Sequence, residues 1–160
     1  MVDKQTMKIA LVKPPNVGVE VRGMGFYVHR LYEALRRING LKIDLVDFSY
    51  LPFLYHQYDL VHFPYFDNFF LTLPPILLHP FVVTIPDLTQ IIFPHHFPKG
   101  FRGELKWSIQ KNLVTKASAI ITISNSAKKD TQSFFNYPQN KIFTTYLAAD
   151  EKFQVVKSKK

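Results

Sequence analysis

The sequence predicts an α/β fold, an open parallel sheet with helices on both faces. Three observations carry this. Short apolar segments with the length of buried strands recur along the chain, amphipathic stretches with helical spacing lie between them, and each change of type falls at a glycine, a proline or a capping residue. Parallel strands need such crossovers, and burial on both faces explains why the strands read as continuous apolar runs.

Lys8–Val12 is the first strand. A loop containing Arg22, Gly23, Met24 and Gly25 follows, and then a helix. Val28, Leu31, Tyr32, Leu35 and Ile38 form its apolar stripe, Arg30, Glu33, Arg36 and Arg37 take the other face, and Asn39–Gly40 ends it. Leu41–Phe48, Tyr58–Phe63, Phe81–Ile85, Ala119–Ile123 and Ile142–Tyr146 are the next five strands. A helix from about Gly100 to Lys116 turns Phe101, Leu105, Ile109 and Leu113 inward. Another is capped by Ser124–Ser126 and carries Lys128, Lys129, Asp130 and Phe134. Residues 1–7 read as a leader or disordered, 8–153 as one domain, and 154–160 as a basic tail.

Composition bounds the function. The chain has 160 residues and no cysteine, so neither disulfides nor thiolate chemistry is available. Its N-terminus has no apolar stretch of signal-peptide type. The apolar region from Asn68 to Val83 is interrupted by Pro74, Pro75 and Pro80, and is too broken to span a bilayer. Six histidines lack ligand spacing, so no metal site is expected. A net charge of +8 invites anionic partners. Charge alone supports a nucleic-acid partner, and no recognition motif accompanies it. Fifteen phenylalanines beside that charge leave a membrane-surface role open. Trp107 lies off the predicted inner stripe with Lys106 and Lys111 nearby, so it either faces a membrane interface or is covered by a neighbouring loop.

Ligands on such sheets bind at the carboxyl ends of the strands. The loops there are 14–25, 64–68, 86–98 and 124–126. Gly23 and Gly25 can bring the backbone close to a phosphate at a helix N-terminus, with positive φ available to them. A third glycine and a Gly-Lys-Ser/Thr sequence are both missing, so nicotinamide-dinucleotide and P-loop sites fit poorly.

Four segments in order resemble group 1 (family 4) retaining glycosyltransferases: Arg22–Tyr27; Phe81–Leu88 with Phe93–Arg102; Ala119–Asp130; and Lys141–Ile142 with Tyr146–Asp150. The resemblance implies a Rossmann-like domain, the N-terminal, acceptor-binding half of a GT-B enzyme. That half would be inactive alone and completed by a C-terminal domain in cis or in trans. It implies transfer of a sugar from a nucleotide-diphosphate sugar, a co-substrate rather than a cofactor, to a saccharide or lipid-linked acceptor in polysaccharide biosynthesis. The implied location is cytoplasmic, with peripheral contact at the inner face of the membrane. The alternative is a non-catalytic binding module acting as a partner subunit or docking on an anionic surface.

Within the resemblance, Gly23 and Gly25 would approach the donor diphosphate. Asp87 would be the catalytic position, orienting an acceptor hydroxyl or stabilising positive charge at the sugar, or else capping the following turn. Arg22, Tyr27, His95, His96 and Ser124 would line the acceptor cleft. His62 is expected to pack within its strand. Two departures stand out: Pro86 occupies a position where the family often has histidine, and Phe26 a position commonly basic.

Overall fold

The computed structural model describes residues 6–14, 23–68, 70–75, 80–98, 100–149 and 153. Six strands form one all-parallel sheet: β1 (Met7–Lys13), β2 (Leu41–Asp47), β3 (Leu60–Phe63), β4 (Phe81–Ile85), β5 (Ala119–Thr122) and β6 (Ile142–Thr144), in the order β2-β1-β3-β4-β5-β6. The helices are α1 (Gly23–Leu35), α2 (Leu51–Leu54), α3 (Thr89–Ile92), α4 (Phe101–Val114) and α5 (Asn125–Phe135).

The handedness of parallel crossovers assigns each helix to a face. Only the β1-to-β2 step runs one way across the sheet; every later step runs the other. Accordingly α1 alone covers one face, where Val28 packs with Ile9, Leu11 and Ile43. The opposite face, with Ala10, Val61, Phe63, Val83, Ile120 and Ile142, is covered by Leu51 of α2, Ile91 of α3, the inner side of α4 and Phe135 of α5. Helices thus lie on both faces, unevenly. Among the described residues of 64–80, β3 joins β4 without a helix.

Helix α1 stops at Leu35, so Ile38 falls in the turns beyond it and is exposed. Gly40 there has φ of +85°, the left-handed conformation a helix-ending glycine supplies. Asn136 closes α5 in the same way, with φ of 48°.

Helix α4 corrects the predicted stripe. Phe101 is 88% exposed and Leu105 59%, whereas Trp107 is 7% exposed and packs against Phe66 and Phe135. The buried side runs through Trp107, Gln110, Leu113 and Val114. A polar residue sits inside because its partners are there. Gln110 Oε1 accepts from Leu73 N–H (3.1 Å), and its Nε2 donates to Phe70 O (2.6 Å) and Thr72 Oγ1 (2.8 Å). The β3–β4 connection is thereby pinned to α4. Trp107 is part of the core, covered by the Phe66 loop and by α5.

Candidate functional site

Because all six strands run the same way, their carboxyl ends share one edge. A cleft of ≈ 410 Å³ opens there over β4, β5 and β6, lined by Pro86, Asp87, Thr89, Ile123, Ser124, Ser126, Ala127, Asp130, Tyr146 and Leu147. The reversal of strand order lies elsewhere, between β1 and β3. There the buried Tyr65 hydroxyl donates to Lys13 O at 3.0 Å, and burial pushes its pKa well above the usual tyrosine value.

Each wall of the cleft has a local cause. Pro86 ends β4, and Asp87 Oδ1 accepts from Thr89 N–H at 2.9 Å to start α3. Its other oxygen has no partner among the described residues. Ser124 takes an extended conformation as N-cap of α5, its Oγ accepting from Ala127 N–H at 3.1 Å. Ser126 and Asp130 follow at helical spacing, so α5 presents both to the cleft. Thr145 N–H donates to Thr122 O at 2.8 Å, continuing the β5–β6 pairing and bringing Tyr146 and Leu147 to the rim. Lys128 Nζ donates to Ile142 O at 2.7 Å, tying α5 to β6 and keeping that ammonium on the backbone.

The described lining is a set of hydroxyls, two carboxylates, one aromatic ring and apolar surface, and among these described residues there is no Lys, Arg or His. In a chain holding 20 Lys and Arg, this local absence of cations is informative. Such walls suit the hydroxyls and C–H faces of a sugar ring. Among the described lining residues there is no cationic side chain to neutralise a diphosphate.

The expected site residues separate into groups. Asp87 and Ser124 meet in the cleft. His95 and His96 are exposed in the turn after α3 and are not among the lining residues. Gly23 and Gly25 form the first turn of α1, at the same sheet edge but outside the cleft. Their φ values are not positive, contrary to the expectation, because a helical turn needs none. A first helical turn does leave its backbone N–H groups without intrahelical partners. Arg22 lies outside the described residues, as does the tail 154–160.

Tyr27, on α1, packs against the cluster of Ile9, Leu11, Val28 and Ile43, with its hydroxyl hydrogen-bonded to Thr84 on β4; burial raises its pKa and that bond opposes the rise. Thr84 Oγ1 also lies 2.9 Å from His62 Nε2. His62 is buried, and desolvation lowers its pKa to about 4, so the imidazole is neutral at pH 7.

Sequence reasoning missed Asp130, Thr89, Tyr146 and Leu147. The spacing of Ser126 and Asp130 on one helix was a usable signal. Tyr146 was hidden by its assignment to the end of the last strand, and Leu147, just beyond it, carried no signal of its own.

Among the described residues, no three His, Cys, Asp or Glu side chains are grouped to hold a metal ion, and no helix is long and apolar enough to cross a membrane. No match to a curated protein was found. The sequence profile described as Glycosyltransferase Family 4 matches residues 39–153.

Proposed function

The chain belongs to glycosyltransferase family 4, and from that premise we propose that it is the acceptor-binding half of a retaining, GT-B-type transferase. The donor would be a nucleotide-diphosphate sugar and the acceptor a saccharide, free or lipid-linked. The observation that carries the reading is the carboxylate- and hydroxyl-lined cleft at the ends of β4–β6, whose described walls hold no cationic side chain.

In this reading the acceptor lies across Tyr146 and Leu147, with its hydroxyls directed to Ser124, Ser126, Asp87 and Asp130. Asp87 orients the reacting hydroxyl through the oxygen not committed to Thr89. The carboxylate also favours positive charge developing at the transferred sugar. The diphosphate keeps away from these two anions, and the backbone N–H groups opening α1 are the complementary element on the same edge. A second domain supplies the remainder of the donor site and closes the cleft, and the isolated chain carries out no transfer.

The test is an NMR titration of the chain with short neutral oligosaccharides and, separately, with nucleotide-diphosphate sugars. Oligosaccharides should shift the amides of Asp87, Ser124, Ser126 and Tyr146. Shifts confined to regions remote from β4–β6, or sugar transfer by the isolated chain, would refute the assignment.

A further inference from the structure

Three polar side chains meet under α1, on a face otherwise packed with Ile9, Leu11, Val28 and Ile43. Tyr27 comes from α1, His62 from β3 and Thr84 from β4. Thr84 Oγ1 lies 2.9 Å from His62 Nε2 and is hydrogen-bonded to the Tyr27 hydroxyl. Thr84 and His62 are both buried. Valine and phenylalanine would fill the places of Thr84 and Tyr27 with almost the same volume and no polar atom to desolvate. Burying hydroxyls beside an imidazole is costly unless they pair, and Thr84 partners both neighbours.

The donors run in one direction along this relay. Desolvation keeps the imidazole neutral at pH 7, so Nε2 is either donor or acceptor. The Thr84 hydroxyl has one proton and two neighbours, so it donates to one and accepts from the other. Breaking either contact leaves a buried group unpaired, and bonds in such a chain strengthen one another. The Tyr27 ring and the Thr84 rotamer are therefore fixed together.

The place of the relay in the fold gives it a function. Helix α1 rests on β1 and β2 through Val28 against Ile9, Leu11 and Ile43, and β3 separates those strands from β4. Tyr27 reaches across that gap. It lies four residues beyond Gly23, so its hydrogen bond seats the first turn of α1, whose N–H groups lack intrahelical partners. Thr84 is the penultimate residue of β4, three before Asp87, and Pro86 with its fixed φ stiffens the step between them. The relay joins the two parts of the sheet edge assigned to donor phosphate and acceptor.

We propose that Tyr27 and Thr84, held by His62, are positioning residues that set the distance between the first turn of α1 and Asp87. The chemical meaning rests on the acceptor-binding reading: transfer needs the diphosphate and the acceptor hydroxyl presented at one separation, and a misplacement of about 1 Å costs roughly a hundredfold in rate.

The test separates hydroxyl from packing. Thr84→Val keeps the shape of the side chain and removes the hydroxyl; Thr84→Ser keeps the hydroxyl and removes a buried methyl group. Amide hydrogen exchange is followed in the unliganded chain at Thr89, whose N–H is held by Asp87, and at Tyr27 and Val28, whose N–H groups close the first turns of α1, each relative to the amides of β1. Thr84→Val and Tyr27→Phe should each accelerate exchange at both ends about tenfold, and Thr84→Ser should leave both close to the parent. Packing alone gives the reverse order of the two Thr84 variants. In a second arm, a neutral oligosaccharide that shifts the amide of Asp87 should also shift those of Gly23 and Gly25 in the parent chain, but only that of Asp87 in Thr84→Val. Acceleration at one end only, or serine and valine variants that behave alike, would overturn the proposal. So would a saccharide response that reaches Asp87 and never α1 in the parent. An oligosaccharide that leaves Asp87 unshifted would refute the acceptor reading instead, with the relay still decided by the exchange rates.

Discussion

His62 Nε2 and Thr84 Oγ1 meet 2.9 Å apart between neighbouring strands, under the cover of α1. The contact holds a neutral imidazole in a place where protonation is disfavoured, with a pKa of about 4 against an ordinary 6.5. In that interval the unfolded chain binds a proton and the folded one does not, so stability rises with pH. The contribution is complete above pH 6.5 and is lost as pH falls from 6.5 toward 4. Its size is on the order of 3 kcal/mol. Urea unfolding as a function of pH should show this slope, and His62→Gln should flatten it. An unchanged slope in the variant would assign the loss to carboxylates instead.

Gln110→Ala should destabilise the fold by roughly 2–4 kcal/mol, through a cavity and the unpaired groups it leaves at Leu73 and Phe70. Amide exchange at Leu73, whose N–H is held by Gln110 at 3.1 Å, should accelerate more than exchange in β1. A variant as stable as the parent would show that water replaces the side chain.

Much of this architecture was legible beforehand, because buried strands and their punctuation are local signals. All six strands start within two residues of where the continuous apolar runs place them, four of them, at Leu41, Phe81, Ala119 and Ile142, at the expected residue. The inner face of α4 was not legible. Its partners lie in the β3–β4 connection, 37 to 43 residues away, and a buried glutamine cannot be recognised until the carbonyls it serves are in place. Of the expected stripe, Leu113 faces the core and Ile109 packs against it, while Phe101 and Leu105 point outward.

The site divides in the same manner. Asp87 and Ser124 were singled out because each lies in a loop at the carboxyl end of a strand, within a segment that resembles the family. Tyr146 and Leu147 reach the cleft only because β6 ends at Thr144. No sequence rule fixes a strand end to that accuracy. Tyr27 belongs to a stretch where ligand contact was expected, yet its hydroxyl is directed to Thr84.

Tyr146→Ala should weaken oligosaccharide binding roughly tenfold, by removing the ring against which a sugar face packs. Asp130→Asn preserves shape but removes the charge that strengthens a hydroxyl hydrogen bond, and should weaken binding to a similar extent. Isothermal titration would measure both. Neither substitution should alter thermal stability appreciably, since Tyr146 is exposed and Asp130 makes no salt bridge among the described residues. Full affinity in both variants would place the acceptor elsewhere on the sheet edge.

Gly23→Ala separates conformation from ligand contact in the first turn of α1. A Cβ built at Gly23 meets nothing within 4 Å, and the residue is helical. Alanine therefore fits, and it removes conformational freedom from the unfolded chain. The folded state should gain about 0.4–1 kcal/mol, or roughly 1–4 °C in Tm for a domain of this size. If the glycine also lets a diphosphate approach the free N–H groups of that turn, the same methyl group obstructs the approach. Affinity for a nucleoside diphosphate should then fall while stability rises. Calorimetry on the variant reads both quantities. A gain in Tm with undiminished nucleotide affinity would show that Gly23 serves the backbone alone, and that the donor phosphate is held by other groups.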